Sequence, residues 1–224
     1  MNKINYQKEL EKIIASLQEP KKVFLHSCCA PCSSYCMEYL RRYFDVTVFY
    51  YNPNIMHEDE YRKRVDEQKR LIDAYNQLEQ TEEGMWLRKI SFTEGIYDVE
   101  NYLAVIKGFE DAPEGGSRCG RCFELRLRET ARVAKEMGMD YFTTTLSISP
   151  LKNAEKLNEI GEKLGEIYGV THLSSDFKKK NGYKRSVELS EEYGMYRQYY
   201  CGCVYSKTQR DREIAAKEAE NQDK

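Results

Sequence analysis

The order of apolar and polar positions resolves the first part of the chain into a strand, a helix and a second strand. Lys22 to Ser27 (Lys-Val-Phe-Leu-His-Ser) is a short apolar run of strand length. Val46 to Tyr51 (Val-Thr-Val-Phe-Tyr-Tyr) is rich in β-branched and aromatic residues and reads as another strand. Ser33 to Tyr43 between them reads as a helix. A strand, loop, helix and strand within about 30 residues form a βαβ unit, which implies a parallel sheet with flanking helices. Ligands on such sheets bind beyond the carboxyl ends of the strands. Cys28 and Cys29 stand there after the first strand, and Asn52-Pro53-Asn54 after the second.

The pattern continues downstream. Tyr61, Val65, Ile72 and Tyr75 keep one face of a long charged helix apolar, and Trp86 to Ser91 is a weaker strand candidate. Glu114-Gly115-Gly116-Ser117 reads as a loop leading into Cys119 and Cys122. Phe123, Leu127, Ala131, Ala134 and Met137 then mark a helix that ends near Gly138. Tyr141 to Thr145 resembles a strand, with Ser147, Ser149, Pro150 and Lys152 in a loop beyond it. Asn153 is placed to cap a helix with Leu157, Ile160, Leu164 and Ile167 on its apolar face. Asp176 to Ser206 has weaker periodicity, and the tail from Lys207 is a polar helix or frays. With no internal repeat or low-complexity linker, the expectation is one α/β domain over 1–224, with 1–20 and 207–224 as peripheral segments. Two small domains are the alternative.

Composition adds exclusions. A hydrophobic content of 41% suffices for a packed core, and 12% aromatic residues argue against disorder. A net charge of −2 gives no global case for nucleic-acid binding, so any basic surface must be local. Met1 to Pro20 is charged and lacks the apolar core of a signal peptide. No apolar run approaches the roughly 18 to 20 residues needed to cross a bilayer. The expected location is the cytoplasm, away from membranes.

That expectation changes how the eight cysteines read. They group as Cys28-Cys29-Ala30-Pro31-Cys32, Cys36, Cys119-Gly120-Arg121-Cys122 and Cys201-Gly202-Cys203. Clustered thiols in a reducing compartment are more often metal ligands or redox couples than structural disulfides. Two Cys-x-x-Cys pairs, Cys29/Cys32 and Cys119/Cys122, fit structural zinc, and spacing alone does not separate zinc from an iron–sulfur cluster. Cys201 and Cys203 can close a small strained disulfide, with Gly202 easing the backbone, and strained disulfides tend to be catalytic. A dithiol beside a metal centre would make an electron relay. Burial as small hydrophobic residues is the alternative for both.

Taken together, several segments closely resemble the QueH-type epoxyqueuosine reductases. They are Leu25-His26-Ser27-Cys28-Cys29-Ala30-Pro31-Cys32-Ser33, Tyr50-Tyr51-Asn52-Pro53-Asn54-Ile55, Arg118-Cys119-Gly120-Arg121-Cys122 and Phe142-Thr143-Thr144-Thr145-Leu146. Ser149-Pro150, Asp176-Phe177-Lys178-Lys179, and Tyr196-Arg197-Gln198 through Cys201-Gly202-Cys203 complete the set, which runs from about residue 22 to 206. The resemblance implies a fold related to the adenine-nucleotide hydrolase group (HUP or Rossmann-like). It also implies cobalamin-independent reduction of the epoxide of epoxyqueuosine at the wobble position of tRNA, the last step of queuosine biosynthesis. It further implies a [4Fe–4S] cluster with a second iron nearby. By that resemblance Cys28, Cys29, Cys119 and Cys122 would hold the cluster, and Cys201 and Cys203 would form the redox-active disulfide. Cys32 is a candidate ligand of the second iron, and Asp176 would bind iron, deliver a proton or cap the following turn. The external electron donor is not specified.

Other residues carry two readings each. His26 is expected in the core rather than on a metal, and His57 and His172 at the surface. Cys36 is expected to be a buried thiol. Tyr51, Asn52 and Asn54 would position the substrate base or form a turn. Lys178, Lys179, Lys180, Lys184 and Arg185 form a run with no acid among them that would contact tRNA phosphates or solvate a surface. Arg118, Arg121, Arg126 and Arg128 would extend that surface, although Arg126 and Arg128 also fit the wet side of a helix. A tRNA thiolation enzyme using ATP is one rival reading, but Cys-Cys-Ala-Pro-Cys replaces the Gly/Ser-rich phosphate loop it requires. A non-catalytic zinc protein that binds RNA is the other.

Overall fold

The computed structural model describes residues 4–222. Its centre is a five-stranded parallel sheet in the order β3-β2-β1-β4-β5. The strands are β1 (Lys21–His26), β2 (Phe44–Tyr50), β3 (Ser91–Glu94), β4 (Tyr141–Thr144) and β5 (Thr171–His172). β1 lies in the middle, pairing Val23 with Val46 on one side and with Tyr141 on the other. Val23, Phe24, Leu25 and His26 are all buried, as expected for a parallel strand covered on both faces.

Alternate residues of the strands feed two cores. Val23, Leu25, Val46 and Val48 pack under α1 (Tyr6–Ser16), α2 (Ala30–Leu40), α3 (Glu58–Gln77) and α7 (Gly182–Glu192). Phe24, Phe49 and Phe142 pack on the opposite face under α5 (Ser117–Glu136) and α6 (Ala154–Tyr168). The strand order reverses direction between β1 and β4. At such a switch point the connections leave for opposite faces and open a crevice beyond the strand ends. The loops after β1 and β4 border that crevice. The remaining helices are α4 (Val99–Ile106) and α8 (Val204–Gln222).

Several expectations are corrected. Trp86 is 67% exposed and only bridges Gln80, while the strand itself begins at Ser91. One apolar run before a strand was insufficient to fix its start. α2 begins at Ala30, with Pro31 in its first turn, so Cys32 and Cys36 are helical. Met137 is exposed at the end of α5, and Ile167 is exposed on α6. Helices α1, α4 and α7 and the two-residue β5 are not among the elements expected from the sequence. Asn153 caps α6 as expected, accepting from Lys156 N–H at 3.2 Å. No helix among the described residues is long and apolar enough to cross a membrane.

Candidate metal and redox centre

β1 ends at His26, and the chain turns through Ser27 and Cys28 into Cys29, the N-cap of α2. The sulfurs of Cys28, Cys29 and Cys32 lie within 4.8 Å of one another. This loop is held from three sides. The Thr145 hydroxyl, beyond β4, accepts from Cys28 N–H at 3.2 Å and donates to Cys28 Sγ at 3.4 Å. Ser27 and Ser33 both donate to Gln68 Oε1 of α3, at 2.7 and 2.8 Å. Asn52, just past β2, donates to the Ser27 carbonyl at 2.8 Å. The thiols thus meet the amino end of α2, where the helix dipole favours negative charge.

Cys119 and Cys122 lie within the first turns of α5 rather than in the loop before it. Gly115, at φ +84°, donates its N–H to Cys119 Sγ at 3.2 Å. Cys119 packs into the same apolar cluster as Cys28, Cys29 and Cys32, against Phe123 and Leu127. Cys122 packs instead with Cys203, Tyr102 and Ile106. Among the described residues, the thiols that come within 4.8 Å as a group are Cys28, Cys29 and Cys32 alone.

The third cysteine motif approaches from between α7 and α8. Cys201 N–H donates to Ser206 Oγ at 3.2 Å, and its carbonyl accepts from Asn54 Nδ2 at 3.4 Å and Arg64 Nη1 at 3.3 Å. Cys203 is buried, and its sulfur accepts from Ser206 N–H at 3.4 Å. Cys201 instead lines a cavity of about 170 Å³ together with Cys28, Cys29, Cys32, Lys152 and Gln198. Leu151, Tyr183 and Tyr199 border the same cavity and are 60%, 42% and 51% exposed. A larger cavity of about 560 Å³ beside Glu38, Arg42 and Arg185 has no thiol in its wall.

The electrostatics single out Cys28. Hydrogen bonds from the Cys29 and Cys32 thiols, then the charges of Lys152 and Arg126, hold its pKa well below the usual thiol range despite burial. The same contacts keep Cys29 and Cys32 protonated, so their pKa values rise. Burial raises Cys122 to about 12 and also raises Cys119 and Cys203. Lys152 is half-buried and forms no ion pair with a carboxylate among the described residues. Burial opposes its charge, but the surrounding cysteine sulfurs, among them the Cys28 thiolate, favour it and raise its pKa on balance. Soft sulfur donors that converge beside cations suit a thiolate-bound transition metal rather than a hard cation such as magnesium.

Sequence reasoning missed Lys152 as a site residue and misread Arg126. Arg126 is only 1% exposed, not on the wet side of α5, because its helix face points into the crevice. The position of Lys152 just beyond the β4 strand end was the available signal. Arg128 is half-buried and pairs with Glu124. Arg118 is buried, donating to the carbonyls of Glu110 and Ala112. His26 and Cys36 are fully buried, as expected. His57 is exposed before α3, but His172 is 8% exposed and packs on Phe142, contrary to expectation. β5, which carries it, was not visible in the sequence.

The basic run is also different from its appearance in one dimension. Lys178 pairs with Asp176 at 2.8 Å, Lys180 with Glu11, and Lys184 with Glu188 at 3.7 Å. Arg185 reaches Glu38 at 2.7 Å as well as Glu188 and Glu192. The distant acids Glu11 and Glu38 and the nearby Asp176, Glu188 and Glu192 therefore neutralise much of the run, leaving Lys179 as its member without an ion pair among the described residues. Asp176 borders a neighbouring cleft with Lys152, Lys178 and Lys179, not the thiol cavity.

Residues 23–209 match the family model described as epoxyqueuosine reductase QueH. The epoxyqueuosine reductase QueH of Streptococcus pyogenes serotype M1 is 42% identical over 208 residues, covering 91% of this chain and 78% of that protein. That of Staphylococcus epidermidis is 41% identical over 209 residues, covering 91% and 85%. That of Thermotoga maritima is 35% identical over 191 residues, covering 84% and 91%. The matched span contains every cysteine group of the crevice, and the chain belongs to the epoxyqueuosine reductase QueH family.

Proposed function

We propose that this chain is an oxidoreductase that reduces the epoxide of epoxyqueuosine in tRNA to the alkene of queuosine, using a thiolate-held [4Fe–4S] cluster and a redox-active dithiol. The observation that carries the reading is the gathering of Cys28, Cys29 and Cys32 within 4.8 Å at the switch point of a chain that belongs to this family. The cluster ligands in this reading are Cys28, Cys29, Cys119 and Cys122. A bound cluster with an adjacent iron would supply single electrons and a Lewis acid. Removing the epoxide oxygen consumes two electrons and two protons and releases water. Oxidation of the Cys201 and Cys203 thiols to a disulfide supplies that amount, and an external donor must then restore the dithiol.

The residues of the chain do the positioning. Cys201 opens on the cavity while its backbone is tied to Asn54, Arg64 and Ser206. Gln198 also lines the cavity, and its buried Oε1 has no hydrogen-bond partner, which suits an acceptor for a substrate N–H or O–H. Leu151, Tyr183 and Tyr199 at the rim suit unstacked bases of an RNA loop.

A second ligand reading has a specific observation behind it. Cys32 stands closer to Cys28 and Cys29 than the α5 cysteines do, which favours Cys32 as a metal ligand too, either to the cluster or to the second iron. The test is anaerobic purification followed by iron, sulfide and zinc analysis, an absorption spectrum, and turnover of epoxyqueuosine-containing tRNA. Iron with acid-labile sulfide and queuosine formation are expected. A colourless zinc protein without turnover would overturn the reading. Cys119→Ser and Cys32→Ser then separate the ligand sets: full iron loading in Cys119→Ser would reject that ligand, and loss of part of the iron in Cys32→Ser would place it on the second metal.

A further inference from the structure

Four buried arginines lie within the fold, and three have conventional partners. Arg41 donates to the carbonyls of Tyr75, Leu78 and Arg88, where it closes the end of α3. Arg64 pairs with Glu60 at 2.7 Å. Arg118 donates to two carbonyls and lies over the Tyr205 ring at 4.8 Å. Arg126 is the exception. Its Nε donates to His26 Nε2 at 3.2 Å, its Nη2 donates to Asn52 Oδ1, and its Nη1 donates to Cys122 Sγ at 4.0 Å. No carboxylate pairs with it among the described residues.

His26 does not balance this charge. Its Nδ1 faces Thr144 Oγ1 at 2.8 Å, and its Nε2 faces the Tyr51 carbonyl at 3.2 Å as well as Arg126 Nε, so the imidazole offers no negative charge in either tautomer. The ring is neutral, and Asn52 is neutral too. Arg41 and Arg118, which also lack a carboxylate, are satisfied by backbone carbonyls, whereas the acceptors of Arg126 are an imidazole nitrogen, an amide oxygen and a sulfur, so negative charge on nearby sulfur would stabilise it most. The available groups are sulfurs: Cys122 on its own helix and Cys28 beyond His26. Arg126 also ties α5 to the ends of β1 and β2, the segments that carry both cysteine loops.

We infer that Arg126 is the fixed internal counter-charge of the metal–thiolate centre, and that it raises the reduction potential of that centre. This rests on the metal reading above but not on the identity of the substrate. Adding an electron to a thiolate-held cluster increases its negative charge. A permanent cation with an N–H aimed at a ligand sulfur therefore stabilises the reduced form more than the oxidised one. Arginine cannot relieve its charge by deprotonation, so its contribution is constant with pH.

The test is an EPR-monitored redox titration of the full-length, iron-loaded chain. At a fixed potential the ratio of reduced to oxidised cluster should fall at least tenfold in Arg126→Gln, equivalent to about 59 mV for a one-electron couple. Arg126→Lys keeps the charge and should stay within threefold of the wild type. An Arg126→Gln protein with wild-type iron content and an unchanged midpoint would overturn the inference. If that variant does not fold or load, pulsed EPR of the reduced wild type grown with ¹⁵N-arginine decides. A nitrogen coupling that Arg126→Lys removes supports the contact, and absence of any arginine coupling overturns it. A wild-type chain without iron would sink the metal reading and this inference together. A shifted midpoint in a protein inactive on epoxyqueuosine would sink the substrate alone.

Discussion

Gly202 lies against Ile55 so closely that a Cβ on it would meet Ile55 Cγ1 at 2.7 Å. Its φ of +131° is also one that residues with a side chain rarely adopt. The cysteine pair is therefore threaded through a gap that only glycine fits. Gly202→Ala should strain this segment by about 1–3 kcal/mol, and Gly202→Val by more. Both should slow formation of the Cys201–Cys203 disulfide, measured as the loss of two alkylatable thiols in air, while iron content stays near wild type. Wild-type oxidation kinetics in Gly202→Val would show that the pair closes without this backbone geometry.

Pairing of the basic run alters what charge reversal should do. Lys178 and Lys180 already engage Asp176 and Glu11, so their charges are partly spent within the protein. Lys179 is free to meet a phosphate. Lys179→Glu alone should flatten the salt dependence of tRNA binding by roughly one unit of slope, and adding Lys178→Glu and Lys180→Glu should change it less. Filter binding at several salt concentrations measures this. An unchanged slope in Lys179→Glu would place the phosphate contacts elsewhere, Arg197 at the cavity and Arg121 on α5 being the next to examine.

The parts of this fold that were legible in the sequence are those with a local cause. β1 and β2 are apolar runs of strand length, α3 and α5 have clean helical spacing, and Asn153 caps α6 with its own side chain. The thiols at the end of β1 followed from strand order and the ligand edge of parallel sheets. What failed depends on contacts distant in sequence. Arg126 has an ordinary helical spacing for a wet face, and only the approach of His26 and Asn52 encloses it. Two of the acids that meet the basic run, Glu11 on α1 and Glu38 on α2, are far from it in sequence. β5 is two residues long and is defined by its pairing with β4, not by its own pattern.

His172 gives a pH dependence separable from the centre. Burial lowers its pKa to about 3. Its Nδ1 bonds Ser174 Oγ at 3.3 Å, Ser174 in turn donates to Glu162, and Nε2 has no partner above Gly161. The unfolded chain takes up a proton near pH 6.5 that the folded ring refuses. Stability is therefore full above about pH 6.5 and declines as pH falls from there toward 3, by about 2 kcal/mol between pH 7 and 5. Replacing it in His172→Asn should remove that share of the slope, seen as a smaller loss of urea midpoint on acidification. Identical slopes in the two proteins would mean that the ring protonates without opening the fold.

Tyr199 stands at the rim with its ring beside Tyr200 at 5.3 Å and its hydroxyl donating to Asp211 at 3.0 Å. Half of its surface remains open to solvent next to Leu151 and Tyr183, so the cavity mouth presents apolar and aromatic faces beside the charge of Arg197. Bases splayed from an RNA loop stack on such faces, and a stacked base is worth about 1–3 kcal/mol. Tyr199→Ala should therefore weaken binding of an anticodon stem-loop roughly tenfold without changing its salt slope. That separates stacking from the phosphate contact of Lys179, which changes the slope. Tyr199→Phe keeps the ring and loses only the bond to Asp211, so it should bind nearly as the wild type does. Equal weakening in Tyr199→Phe and Tyr199→Ala would assign the effect to the hydroxyl and its hold on α8. Unaltered affinity in both would remove Tyr199 from the RNA-binding surface.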